Sequence, residues 1–282
     1  MKHLLKLEGM PSAAMEEILT SAEVIKAKRG GGETKPLDGQ TWAMIFTKSS
    51  TRTRVSFEVG IRELGGSVMF LNANDMQLGR GEPIKDTARV LGRMVHGAVI
   101  RTFAQADVEE FAEYSGIPTI NALTDDEHPC QILTDIFTFQ ERRGPIRGKV
   151  VTYVGDGGCN VPVSWVHAAA ALDFELRIAA PSEFQPSTEI LAKAGGNISC
   201  TEDIRAAVKG ADMVYTDVWV SMGMEAEAEE RLAKLAGYQI NGELMCLAKS
   251  DALVMHCLPA YRGKEIDAKT FEAHADTIFT QA

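Results

Sequence analysis

Seven short β-branched runs, spaced along the whole chain, constrain the fold more than any other feature: Trp42–Thr47, Ser67–Leu71, Ala98–Phe103, Lys149–Val154, Glu175–Ala179, Met213–Asp217 and Leu253–His256. Each has the length of a buried strand and is too short for a helix. Between them apolar residues return at helical spacing, as in Val55, Val59 and Ile61–Leu64 or in Ile132, Ile136 and Phe139. Strands alternating with amphipathic helices make βαβ units, so the expected class is α/β, with two domains that are each a mostly parallel sheet flanked by helices. Gln131–Arg143 reads as a helix stopped by Gly144-Pro145, with a new strand opening at Lys149. The expected division is therefore a first domain over 1–130, an interdomain helix and linker over 131–148, and a second domain over 149–282.

Composition narrows the function classes. With 282 residues, 45% hydrophobic and 24% charged, the chain is long enough for two cores of ordinary size. No apolar run reaches the ~18 residues of a membrane span, and Met1–Met10 is broken as a leader by Lys6 and Glu8, so a cytoplasmic protein without a membrane partner is expected. Cys130, Cys159, Cys200, Cys246 and Cys257 are an odd set without a C-x-x-C pair, which speaks for free thiols in a reducing compartment and against a structural zinc site. A net charge of −10 repels nucleic acid, so an anionic ligand must be caught by a local cluster. Lys26–Arg29 with the glycines that follow, and the acidic stretch Glu225–Arg231, both read as solvated surface.

Three segments carry chemistry. Phe46–Arg54 lies where a strand ends and a helix begins. Unpaired N–H groups and the dipole of a first helical turn bind anions, and the hydroxyls of Ser50, Thr51 and Thr53 with the guanidinium groups of Arg52 and Arg54 reinforce the site. In Asp125–Gln131, Pro129 biases His128 toward extended backbone, so that the imidazole and the Gln131 amide project together. Leu253–Pro259 ends a late strand at the carboxyl edge of a sheet, where open α/β sheets bind ligands, and this exposes Cys257 to the crevice.

Ser-Thr-Arg-Thr-Arg, His-Pro-Cys-Gln and His-Cys-Leu-Pro, in this order and at these separations, resemble the aspartate/ornithine carbamoyltransferase family over essentially the whole chain. Asp217–Gly223 is similar to the family's ornithine-binding loop, and Cys257, absent from the aspartate-using branch, favours a diamine-type acceptor. The resemblance implies transfer of a carbamoyl group from carbamoyl phosphate to the δ-amine of L-ornithine. Ser50, Thr51, Arg52 and Thr53 would then hold the phosphate. Arg101 and the run His128, Pro129, Cys130, Gln131 would hold the carbamoyl group. Asn160, Asp217, Ser221 and Met222 would hold the amino-acid end of ornithine, while Cys257 and the Leu258 carbonyl would face its amine. Arg52, Arg101, His128 and Cys257 would be catalytic, with Cys257 either a thiolate or a neutral thiol. Gln77 matches a residue that reaches a neighbouring subunit's site, so a homotrimer with shared sites is implied. Neither a cofactor nor a metal is implied. Open alternatives are a putrescine or acylated-ornithine carbamoyltransferase and a non-catalytic paralogue.

Three features depart from these patterns. Gly155–Asn160 imitates a dinucleotide fingerprint, but Asn160 replaces its last glycine and no ribose-binding acid follows, so NAD is not expected. Cys159 stands where the family has a second Asn, and the sequence ends at Gln281-Ala282, short of the family's Asn-Arg pair and terminal helix.

Overall fold

The computed structural model describes residues 2–31, 35–72, 81–220 and 225–282. Among them the chain forms two compact units, Met1–Cys130 and Gln131–Ala282.

In the first unit, β1 (Thr41–Phe46), β2 (Ser67–Asn72), β3 (Gly97–Arg101) and β4 (Thr119–Leu123) pair in the order β2-β1-β3-β4, all parallel. The helices are α1 (Ser12–Ala27), α2 (Arg52–Glu63), α3 (Ile84–Leu91) and α4 (Gln105–Ser115). Strand β1 is almost continuously apolar because both of its faces are covered. Ala43 and Ile45 pack with Ala88, Val108 and Phe111, whereas Trp42, Met44 and Phe46 pack with Ile61. Burying each large side chain contributes about 1.5–3 kcal/mol.

In the second unit, β5 (Val150–Val154), β6 (Glu175–Ala179), β7 (Ile198–Thr201), β8 (Met213–Thr216) and β9 (Leu253–His256) pair in the order β7-β6-β5-β8-β9, again all parallel. Helix α5 (Pro129–Arg143) opens two residues before the expected Gln131, because proline is well suited to a first helical turn. Helices α6 (Asn160–Leu172), α7 (Thr188–Ala194), α8 (Ile204–Val208), α9 (Ala228–Leu235), α10 (Gly242–Met245), α11 (Ala268–Ala273) and α12 (Ala275–Thr280) follow. Trp165 is fully buried and meets Phe174 and Tyr215 edge to face, with centroids 5.8 and 5.5 Å away.

The sheets depart from expectation in two ways. Strands β4 and β7 were not expected, because Thr119 and Asn121 interrupt one run and Ser199 and Cys200 the other. The run expected over Ala98–Phe103 ends at Arg101, where the β3–β4 register shifts between Ile100 and Arg101. Such an irregularity re-aims a side chain at the rim of a sheet.

A buried polar network closes the second unit. Asp135 on α5 is fully buried, and its Oδ1 accepts from Gln131 Nε2 and Gln281 Nε2, each at 2.8 Å. Gln281 Oε1 in turn accepts from the His256 backbone N at 3.0 Å. Burial pushes the Asp135 carboxyl up to about 7. Between the ordinary carboxylate range and pH 7 the folded state therefore holds the extra proton, and stability falls as pH rises through that window. Asp135→Asn keeps the acceptor and removes the ionisation. Urea denaturation should show the variant gaining on the wild type by on the order of 1–4 kcal/mol between pH 4 and pH 8. A difference independent of pH would contradict this.

Candidate active site

Strand order decides which loops meet. In the first unit β1, β3 and β4 are neighbours, so the segments after their carboxyl ends share one stretch of sheet edge. These carry Thr47–Arg54, Arg101 and His128. Helix α2 starts at Arg52 with Thr51 as its N-cap, has no acidic residue in its first turn, and is capped by Ser50, whose Oγ accepts from Thr53 N at 3.3 Å. The dipole at this helix start is left for an external anion. A cleft of about 310 Å³ opens there, lined by Phe46, Thr47, Lys48, Ser49, Ser50, Thr51, Arg54, Phe70 and Asn72. Arg52 is exposed, Arg54 lies over the Phe70 ring at 3.7 Å, and the buried Arg101 donates from Nη1 to Thr53 Oγ1 at 3.3 Å.

His128 is buried, and burial, with the Arg101 charge second, pushes it down to about 3. It is therefore a neutral imidazole at physiological pH, a donor rather than a cation. Cys130 donates from Sγ to the Asn121 carbonyl at 3.4 Å, and burial pushes its thiol up to about 12, which removes it as a nucleophile. Pro129 is buried at the start of α5, and Gln131 turns its amide to Asp135 at 2.8 Å.

In the second unit β5, β8 and β9 are neighbours, and the candidates again lie just past their carboxyl ends. Asn160 is the first residue of α6, after a turn in which Cys159 gives no capping bond and instead donates to the Asp156 carbonyl at 3.3 Å. Asp217 is buried after β8 and accepts from Val218 N at 2.7 Å. Its carboxyl is pushed upward by burial, against the opposing pull of His256 and Cys257.

Cys257, expected to be open to a crevice, is half-buried, and its thiol is pushed well above the ordinary range by burial and then by Asp217. Of the two ionisation states left open above, the geometry favours the neutral thiol. Leu258 has φ +59°, an uncommon left-handed backbone that bends the chain just past the end of β9. His256 fixes this bend, since its Nδ1 accepts from Leu258 N at 2.9 Å and its Nε2 meets the buried Glu265 Oε1 at 3.1 Å. Ligating atoms of Asp217, His256 and Cys257 lie within 4.8 Å of one another, although alternation along a strand would separate His256 from Cys257. Both imidazole nitrogens are already hydrogen-bonded, so this trio is a polar network and a poor metal site.

Two buried cations near the candidate residues were not assigned from the sequence. Lys48 is buried in the cleft lining, pairs with Asp125 and lies 4.4 Å from the Phe103 centroid. Arg231, expected to be solvated, is buried and pairs with buried Asp156, while its Nε donates to the Trp219 carbonyl at 2.9 Å. That guanidinium ties the turn before Asn160 to the segment after Asp217, and breaking such a buried pair typically costs about 3–5 kcal/mol. The signal was obscured because Arg231 follows four acidic residues among alanines, a pattern of solvated helices. Gln77, Ser221 and Met222 lie outside the described residues.

Comparison with known proteins bears on the family to which the chain belongs. Residues 2–141 match the family model for the aspartate/ornithine carbamoyltransferase carbamoyl-P binding domain, and residues 147–282 match the model for the Asp/Orn binding domain. An ornithine carbamoyltransferase of Akkermansia muciniphila is 53% identical, covering 100% of this chain and 93% of its own. One of Nitrosococcus oceani is 49% identical over 99% of this chain and 92% of its own. The crystal structure of the anabolic ornithine carbamoyltransferase of Campylobacter jejuni superposes with a TM-score of 0.94 at 43% identity, covering 100% of this chain and 94% of that one. With both domain models matched and relatives near half identity along its length, the chain belongs to the aspartate/ornithine carbamoyltransferase family.

Proposed function

We propose that the chain transfers the carbamoyl group of carbamoyl phosphate to the δ-amine of L-ornithine, giving L-citrulline and phosphate. The observation that carries this reading is that each unit has its own sheet edge and that the two edges differ in chemistry. One offers helix-start amides, hydroxyls and cations for a phosphorylated donor. The other offers a carboxyl group, a neutral thiol and the backbone carbonyl of a left-handed Leu258 for an amine.

In the proposed roles, Ser50, Thr51, Arg52 and Thr53 hold the phosphate, with Lys48 beside them. Arg101, His128, Pro129, Cys130 and Gln131 surround the carbamoyl group. As the amine attacks, charge grows on the carbamoyl oxygen, and Arg52, Arg101 and the neutral His128 N–H stabilise it. Losing one such donor typically costs roughly 2.7–4 kcal/mol in the transition state, while alignment of two bound reactants can supply about 7–11 kcal/mol. Asn160, Asp217, Ser221 and Met222 bind the amino-acid end of ornithine, and Cys257 with the Leu258 carbonyl orients the amine lone pair.

The trimer with Gln77 shared between subunits is part of this proposal. It is supported by the exposed apolar residues Val55 and Val59, one turn apart on α2, at 55% and 40% exposure. A place in arginine metabolism and a cytoplasmic setting are proposed with it. The five free thiols support a reducing compartment, and among the described residues no helix is long and apolar enough to cross a membrane.

Two outcomes are expected. Offered ornithine, putrescine and N-acetylornithine in parallel with carbamoyl phosphate, the protein should form a carbamoylated product fastest with ornithine. Preference for either competitor would overturn the acceptor assignment. Cys257→Ala should raise the KM for ornithine about tenfold or more and lower kcat, with carbamoyl phosphate binding changed by less than about threefold, because an already activated donor has no need of a thiol nucleophile. Ping-pong kinetics, or a carbamoylated Cys257 found by mass spectrometry, would make the sulfur a nucleophile and contradict this role.

A further inference from the structure

Glu127 directly precedes His128, and its side chain is buried at 4% exposure. Its Oε2 accepts from the Leu7 backbone N at 2.6 Å and its Oε1 accepts from the Glu8 backbone N at 3.1 Å. Both carboxylate oxygens thus grip successive amides of an N-terminal segment more than a hundred residues away.

That segment is itself anchored. Leu4 forms an isolated parallel bridge with Ile120 beside β4, donating to the Thr119 carbonyl at 3.0 Å and accepting from Asn121 N at 2.7 Å. The Leu5 carbonyl accepts from Asn121 Nδ2 at 2.8 Å and from Gln105 Nε2 at 3.1 Å. Glu127 is also held through its main chain, since its carbonyl accepts from Thr124 N at 2.9 Å and its N donates to Thr124 Oγ1 at 3.2 Å. The residue before the imidazole is therefore tied at its side chain, its N–H and its carbonyl, and the side-chain tie runs to a part of the chain remote in sequence.

A carboxylate is a costly group with which to fill an interior, and burial pushes this one up to about 7, so an apolar side chain would serve packing alone better. What the carboxylate adds is direction: two strong acceptors fix the backbone to within the tolerance a transition-state donor needs, where a displacement of ~1 Å costs about a hundredfold in rate. We propose that Glu127 is a positioning residue, and that its grip on the Leu7 and Glu8 amides sets where His128 presents its ring N–H to the carbamoyl oxygen. The inference rests on His128 being that donor.

Steady-state kinetics of the full chain with Glu127→Gln, Glu127→Ala, His128→Gln and the double variant Glu127→Gln/His128→Gln test it. Gln keeps the shape but turns an amide NH2 toward one of the two N–H donors, so kcat should fall about tenfold, and about a hundredfold with Ala, with the KM for ornithine within about twofold. In the His128→Gln background, Glu127→Gln should cost less than about twofold more, because the group it positions is already gone. Should Glu127→Ala fail to fold, the near-isosteric Gln variant carries the test. Wild-type kcat in Glu127→Gln, or its full loss repeated on top of His128→Gln, would overturn the positioning role while leaving the proposed function intact. Wild-type kcat in His128→Gln itself would remove the donor assignment, and this inference with it.

Discussion

Parallel pairing of β1 with β3 and of β5 with β8 fixes where every described candidate group stands. Each central strand has a sequence-adjacent neighbour on one side, β2 or β6, and a later strand on the other. The chain direction across the sheet reverses there, and the loops leaving the two strands separate to form a crevice at the carboxyl edge. Because β4 and β9 then add outside β3 and β8, the loops after β1, β3 and β4, and those after β5, β8 and β9, lie in unbroken series. The apolar content of β1 and β5, needed to bury strands covered on both faces, is thus also what brings dispersed polar residues together.

The electrostatics of both edges favour uncharged donors over nucleophiles. His128 is held neutral, the Cys130 and Cys257 thiols are held protonated, and each shift has burial as its first cause. Positive charge is concentrated instead at the start of α2, in Lys48, Arg52, Arg54 and Arg101, within a chain of net charge −10. Such a division suits attack by an amine on an activated carbonyl, in which the protein must align reactants and stabilise an oxyanion.

Much of this was legible in the residues. The seven β-branched runs all became strands, with no end shifted by more than two residues, because buried parallel strands must be apolar throughout. The strands that escaped, β4 and β7, hold polar residues whose role depends on neighbours; Asn121 serves the N-terminal segment through a bond invisible in a linear pattern. Arg231 and Glu127 escaped for a related reason. Each sits in a locally hydrophilic stretch, and only the tertiary fold supplies the buried partners that give it meaning: Asp156 and the Trp219 carbonyl for one, the Leu7 and Glu8 amides for the other. Cys257 shows the converse limit, since its position at a strand end was readable whereas its surroundings, and with them its protonation, were not.

In the proposed mechanism the carbamoyl donor is held at the carboxyl edge of the first unit, on the opening turn of α2. Hydrogen–deuterium exchange with carbamoyl phosphate added and ornithine withheld tests this most directly, because the first-turn amides of a helix have no backbone partner within it and exchange more slowly once a ligand accepts from them. Slower exchange centred on residues 50–54, accompanied by 101 and 128 and absent from 155–160 and 217–220, is the result predicted. Protection confined to the second unit, or unchanged exchange at residues 50–54 with the ligand at saturation, would contradict it.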